Sequence, residues 1–367
     1  MYIAQIAPLG IRVPPVAYGG TELVVSLLTE ELVRRGHDVT LFASGDSVTA
    51  AKLHSVCPHF LRGSDREEAI LTMLNVVACL EQAEKYDIIH NHANVEGIAM
   101  AGLVKTPVLT TLHDGLRGDR LALFTASKGY YNTISRSARA LLPDREGFVG
   151  VIHNAIDCKS HPFQGEKGDY LLFLSRISRE KGPHLAIEVA KRAECRLVIA
   201  GNVVTMDDEE YFKQMVMPQV DGHFVQYCGE TGGIEKKELF ANALCLLMPI
   251  TWPEPFGLAM VEAMACGTPV IAFNRGSAPE VVLHGKTGFI VKDVDHMVEA
   301  VKHVNRIDRR YCREHVERHF DTARMVDDYL TAYEQILNEV QKRRVPIPER
   351  LEPGSKPSSP RATTPFE

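Results

Sequence analysis

None of the eight cysteines stands in a CxxC pair, and several lie in apolar stretches such as Ala243-Leu244-Cys245-Leu246-Leu247. That pattern argues against a zinc site or a disulfide scaffold and predicts buried, reduced thiols in a cytoplasmic protein. No stretch approaches the ~18–20 apolar residues that a membrane span needs. The opening MYIAQIAPLG lacks the basic flank and long apolar region of a secretory leader, so the expectation is a soluble protein. Basic residues are not in excess: 41 Lys and Arg against 47 Asp and Glu leave a net charge of -6, which argues against nucleic acid as the partner. A GxGxxG fingerprint is missing, so a dehydrogenase is a distant option. No DxD suited to a metal-bound diphosphate stands at a strand end. Asp207-Asp208 is flanked by helix-like sequence and reads as a capping region, and no metal is predicted.

What is present is a long alternation of strand and helix patterns. At 367 residues the chain exceeds one ordinary core. The short apolar run at 2–7 suits a buried strand, 38–43 returns as a strand, and 87–90, 107–112 and 132–135 are further strand candidates. Leu23, Val24, Leu27, Leu28 and Leu32 recur at helical spacing before Gly36, a good residue to end a helix. The pattern restarts after Asn154-Ala155-Ile156-Asp157 and a polar linker at 158–169. Strands are then expected at 170–174, 196–200, 223–228, 244–248 and 269–273, with helices centred near Ile187, Met215, Leu239, Met260 and Val298. Repeated βα units predict parallel sheets covered on both faces, here two Rossmann-like domains with a cleft between them. Met325, Tyr329, Leu330, Tyr333, Ile336 and Leu337 mark a long amphipathic final helix, and the Pro- and Ser-rich stretch at 344–367 reads as a disordered tail.

Three segments suit a diphosphate. Gly19-Gly20-Thr21-Glu22 opens the first helix, where glycines admit a phosphate to unpaired N–H groups; a flexible capped loop is the alternative. Ser175-Arg176-Ile177-Ser178-Arg179-Glu180-Lys181-Gly182 follows a strand, so Arg176 and Lys181 can converge at the carboxyl edge of the sheet; a surface charge cluster is the alternative. In the third segment, Glu254-Pro255-Phe256-Gly257-Leu258-Ala259-Met260-Val261-Glu262, Gly257 starts a helix whose first N–H groups would face an anion. Glu254 sits just outside that start and Glu262 about 7–8 Å along the axis, at ~1.5 Å per residue. A ligand with hydroxyls at both ends and a diphosphate between them has the shape to meet both carboxylates. Glu262 is set among Met260, Val261, Ala263, Met264 and Ala265, so it needs a polar partner.

The stretch EPFGLAMVEAMACGTPVIA resembles the Glu-x7-Glu signature of family 4 of the retaining glycosyltransferases, which have the GT-B fold. Other segments resemble family motifs in family order: Gly19-Gly20-Thr21-Glu22, Asp87-Ile88-Ile89-His90, Thr110-Thr111-Leu112-His113, Ser175-Arg176 with Glu180-Lys181-Gly182, and Gly285-Lys286-Thr287-Gly288-Phe289. Ala155 departs from the family's usual glycine. The resemblance implies that Glu262 holds ribose hydroxyls and Glu254 those of the donor sugar. It implies that Arg176 and Lys181 bind the phosphates with backbone help from Gly20, Leu258 and Ala259, and that Phe256 and Gly257 border the sugar. His113, at a strand end, would face the sugar near the reacting carbon, and the nucleobase would rest near Tyr227 to Glu230. It also implies a final helix crossing back to the first domain. The expected division is then 1–157 plus about 322–343 as the acceptor domain, and 158–321 as the donor domain.

The expected reaction is retaining, metal-independent sugar transfer from a nucleotide-sugar donor, UDP-glucose first among UDP-sugars, to a hydroxyl acceptor. Attack on the front face, with the departing phosphate taking the acceptor's proton, is the expected route. Rival readings are a sugar-nucleotide epimerase or hydrolase, and a non-catalytic sugar-nucleotide sensor. Nothing in the sequence names the acceptor, whether sugar, lipid or small molecule, and a peripheral membrane association is left open.

Overall fold

The computed structural model describes residues 1–344. Of the expected disordered tail, 344–367, Arg344 ends the final helix and the rest lies outside the described residues. Buried apolar runs pair into two all-parallel sheets. The first contains β1 (Tyr2–Ile6), β2 (Asp38–Phe42), β3 (Lys52–His54), β4 (Ile88–Asn91), β5 (Val108–Leu112), β6 (Tyr130–Thr133) and β7 (Phe148–Val151), in the order β3-β2-β1-β4-β5-β6-β7. The second contains β8 (Tyr170–Leu174), β9 (Arg196–Ala200), β10 (Val225–Tyr227), β11 (Cys245–Met248), β12 (Val270–Phe273) and β13 (Gly288–Val291), in the order β10-β9-β8-β11-β12-β13. Helices cover both faces of each sheet, so the central strands are buried; those of the second sheet are almost wholly apolar, whereas β1, β4, β5 and β6 also bury Gln5, His90, Thr111 and Asn132. The sequence pattern missed β3, β7 and β13, which are edge strands with at least one half-buried position.

In each sheet the order reverses beside the first strand, β1 or β8, and ligands of open α/β sheets bind at such a switch point, beyond the carboxyl ends of the strands. The final helix, Thr322–Arg344, returns to the first sheet's layer. Its Met325, Val326, Tyr329, Tyr333 and Ile336 pack with Val24, Leu28 and Leu32 of the first helix, Gly20–Arg34. The two places where the chain passes between the lobes are joined. The Ile156 N–H donates to the Phe320 carbonyl at 3.0 Å, and the Thr322 N–H donates to the Ile156 carbonyl at 3.1 Å.

All eight cysteines are free thiols, six of them buried; Cys195 is half-buried, and Cys228 is exposed, contrary to the expectation of burial. Asp207 and Asp208 open a short helix as expected. Thr205 Oγ1 accepts the Asp208 N–H at 3.1 Å, and Asp208 Oδ2 accepts the Thr205 N–H at 3.3 Å, a reciprocal cap that commits Asp208 to the backbone. Among the described residues no helix is long and apolar enough to cross a membrane.

Candidate active site

Between the lobes lies a cavity of about 330 Å³. The first lobe contributes Tyr18, Gly19 and Gly20 at the start of the first helix, with His113 and Asp114 just past β5. The second contributes Arg176 after β8, Lys181, and the run from Glu254 to Ala259 that follows β11. Gly20 faces the Leu258–Ala265 helix across the gap: a Cβ there would sit 3.5 Å from Leu258 Cδ1.

The Glu254 loop is built by backbone constraint. Gly257 has φ +79°, a left-handed conformation in which a Cβ would come within 2.6 Å of the Met260 methyl, so glycine is required to turn the chain into the helix. The Met260 N–H donates back to the Gly257 carbonyl at 3.0 Å, which leaves Leu258 and Ala259 as the open donors of the first turn. From the other side, the Ser277 N–H donates to the Glu254 carbonyl at 2.9 Å and Ser277 Oγ donates to the Phe256 carbonyl at 2.7 Å. A Cβ at Gly276 would lie 2.3 Å from the Glu254 backbone, so only glycine lets this strut approach.

The charges are paired in ways the sequence did not predict. Lys181 Nζ donates to Glu254 Oε2 at 2.5 Å, and the Trp252 indole N–H donates to the same oxygen at 2.7 Å. Arg176 pairs with Glu180 and lies 3.9 Å from Asp208, while its Nε is buried without a hydrogen-bond partner. Glu262 is buried beneath the cavity, and Lys236 Nζ donates to its Oε1 at 2.7 Å. Burial alone would push this carboxyl up, but Lys236, and then His161 at 3.9 Å, outweigh it and hold it down at about 2. The partner Glu262 needs is thus supplied by the protein, which sequence reasoning missed because Lys236 sits on another helix, Gly233–Ala241.

Two nucleobase candidates are not among the cavity's lining residues. The Tyr227 hydroxyl donates to the Gly201 carbonyl at 2.9 Å. Glu230 Oε1 accepts the Tyr18 N–H at 3.1 Å and Asn202 Nδ2 at 3.4 Å, so Glu230 ties the loop before the first helix to the second lobe. Phe256 borders the cavity but is only 2% exposed; its ring packs against His153 at 6.0 Å and Phe320 at 5.8 Å, which makes it an anchor for the loop. Gly19, Gly20, His113, Arg176, Lys181, Glu254, Gly257, Leu258, Ala259 and Glu262 are brought together around the one cavity.

Two parallel α/β lobes closing on such a cleft define a GT-B transferase. The first lobe matches the model of Glycosyltransferase Family 4 over residues 18–160, and the second that of Glycosyl transferases group 1 over 159–316. Between them the two models span most of the chain, which belongs to this glycosyltransferase family and is an enzyme of that class. Among its relatives is D-inositol 3-phosphate glycosyltransferase of Pseudarthrobacter chlorophenolicus, 25% identical over 79% of this chain and 83% of that one. A glycosyltransferase involved in avilamycin A biosynthesis superposes with a TM-score of 0.73 at 25% identity, covering 92% of this chain and 98% of its own. HepE of Anabaena, solved in complex with UDP and glucose, superposes with a TM-score of 0.67 at 20% identity, covering 93% of this chain and 100% of its own.

Proposed function

We propose that this glycosyltransferase moves a hexose from a UDP-sugar, UDP-glucose first, to a hydroxyl acceptor with retention of configuration and without a divalent ion. The observation that carries the reading is the convergence of Arg176, Lys181, Glu254 and the start of the Leu258–Ala265 helix on one cleft, with Glu262 beneath it. As the bond to the diphosphate breaks, negative charge builds on phosphate. Arg176, Lys181 and the Leu258 and Ala259 N–H groups, which line the cleft, meet that charge in this reading, and preorganised donors of this kind are a large source of rate. In this reading Glu254 takes hydroxyls of the sugar and Glu262 those of the ribose, each keeping its lysine. The complex of the structural neighbour HepE with UDP-glucose supports the donor class.

The acceptor attacks the face from which UDP leaves, and the departing phosphate takes its proton. The test is incubation with UDP-glucose and a panel of hydroxylated acceptors in excess chelator, with the anomeric configuration of the product read by NMR. An α-linked product formed in chelator supports the reading, whereas inversion or an absolute need for a divalent ion overturns it.

A further inference from the structure

His113 does not stand alone. Its Nε2 lies 2.8 Å from Nδ1 of His92, a wholly buried residue just past β4. His92 Nε2 lies 2.9 Å from Gln5 Oε1 on β1, and Gln5 Nε2 donates to the Tyr333 hydroxyl of the final helix at 3.2 Å. Beyond Tyr333 the chain continues to His90 Nδ1 at 2.6 Å, and from His90 Nε2 to Thr111 Oγ1 at 2.7 Å. Thr111 donates to Asn132 Oδ1 at 2.7 Å, and the Tyr329 hydroxyl lies 3.0 Å from Thr111 Oγ1.

The polarity of this chain follows from the amides as they lie. A carbonyl oxygen only accepts, so His92 Nε2 carries the hydrogen that meets Gln5. Complete burial keeps His92 neutral, so its Nδ1 is bare and must accept from His113 Nε2–H. His113 is also held neutral by burial, so its Nδ1 is bare as well. The same polarity closes at the other end. Tyr333 accepts from Gln5 and donates to His90 Nδ1, and His90 Nε2–H donates to Thr111. Asn132 Nδ2 donates to Tyr329 at 3.4 Å, and Tyr329 donates to Thr111. No proton is used twice. His113 lines the cavity, its Nε2 is engaged inward, and its Nδ1 has no protein partner among the described residues.

We propose that His92 is a positioning residue that holds His113 with Nε2–H turned inward and a bare Nδ1 toward the cavity, and that Gln5 on β1 and Tyr333 on the final helix impose this choice. His113 then offers the cavity a hydrogen-bond acceptor and never a donor. Resting on the reading of the cavity as a donor site, Nδ1 accepts from a hydroxyl of the sugar, fixing the ring that the acceptor must attack.

Two readouts test this and fail independently. Long-range proton–nitrogen correlations on the ligand-free, histidine-labelled protein, assigned with His113→Gln, are expected to show His113 protonated at Nε2 and bare at Nδ1. In Tyr333→Phe the two tautomers should mix. Because no donor is present, this arm holds or fails whatever the substrate is. In turnover, His92→Leu should lower kcat on the order of 10²-fold, as misplacement of a reacting group does, with donor KM little changed. His92→Asn, whose carbonyl can still accept from His113, should recover most of the rate. Should His92→Leu fail to fold, Tyr333→Phe carries the kinetic test, with a smaller fall in kcat expected. Protonation of His113 at Nδ1 in the wild type, or kcat insensitive to Tyr333→Phe and equal in the two His92 variants, overturns the proposal.

Discussion

Lys181 Nζ and Glu254 Oε2 lie 2.5 Å apart, so the cation aimed at the diphosphate and the carboxylate aimed at the sugar hold each other when no donor is bound. Trp252 donates its indole N–H to the same oxygen, and its ring lies under the ammonium, 5.1 Å from ring centre to Nζ. Lys181→Ala should therefore leave Glu254 oriented while removing a donor to developing phosphate charge. The expected result is a loss in kcat of about 10²–10³-fold, the range for removing one preorganised donor. Steady-state kinetics check it, and an unchanged kcat removes Lys181 from the phosphate site.

Lys236 and Glu262 form a second pair, with side-chain exposures of 20% and 7%. Removing one member of such a pair strands the other. Lys236→Met should cost about 3 kcal/mol, at the low end for broken buried pairs because the lysine keeps some contact with water. Adding Glu262→Gln to Lys236→Met should return much of that loss. Urea unfolding of the single and double variants measures both.

Glu280 joins the lobes. Its carboxylate accepts the N–H groups of Arg136 at 2.8 Å and Ser137 at 2.7 Å, at the start of a short helix in the first lobe, and His153 Nε2 lies 3.3 Å away. It stands three residues beyond Ser277, which braces the Glu254 loop. Glu280→Ala should loosen closure without touching the cavity lining. A larger radius of gyration by small-angle scattering and a higher donor KM are expected; an unaltered scattering curve would show that the lobes are held by other contacts.

The acid limb of stability has a definite sign. Burial holds His113 down at about 4 and His90 and His92 well below their ordinary value. Once unfolded, each titrates near 6.5. Below that pH the unfolded chain binds protons that the folded one refuses, so each histidine removes roughly 1.4 kcal/mol of stability per pH unit as pH falls. Glu22, pushed up to about 7 chiefly by burial, works oppositely, because the folded protein takes its proton first. The net of these four groups is about two protons, or roughly 2.7 kcal/mol per pH unit between pH 6.5 and 4.5. Urea midpoints across that range should fall steeply, and by about one proton's slope less in His92→Asn. A flat profile would contradict the buried neutral histidines.

The fold was legible where burial is continuous. Runs such as those at 170–174 and 197–200 are read as strands because a strand covered on both faces is largely apolar. Lys52–His54 carries no such run, since an edge strand three residues long buries little. The site was legible along the chain and not across it. Gly257, Leu258 and Glu262 share one loop and helix, whereas Lys236, Gly276 and His92 reach their partners only through tertiary packing. Proximity to the carboxyl edge of a sheet does not tell which way a side chain turns: Tyr227 bonds to the Gly201 carbonyl, and Glu230 to the Tyr18 N–H and the Asn202 side chain.

The most direct test of the account is the thermal transition of the wild type and of Glu262→Gln as UDP-glucose is added in excess chelator. A donor held in this cleft adds about 2.7 kcal/mol of stability at a hundred times its dissociation constant. The wild-type transition should therefore climb with the logarithm of donor concentration, while that of Glu262→Gln climbs far less. A wild-type transition that does not move, or a variant that responds as the wild type does, contradicts the assignment of this cleft to a UDP-sugar.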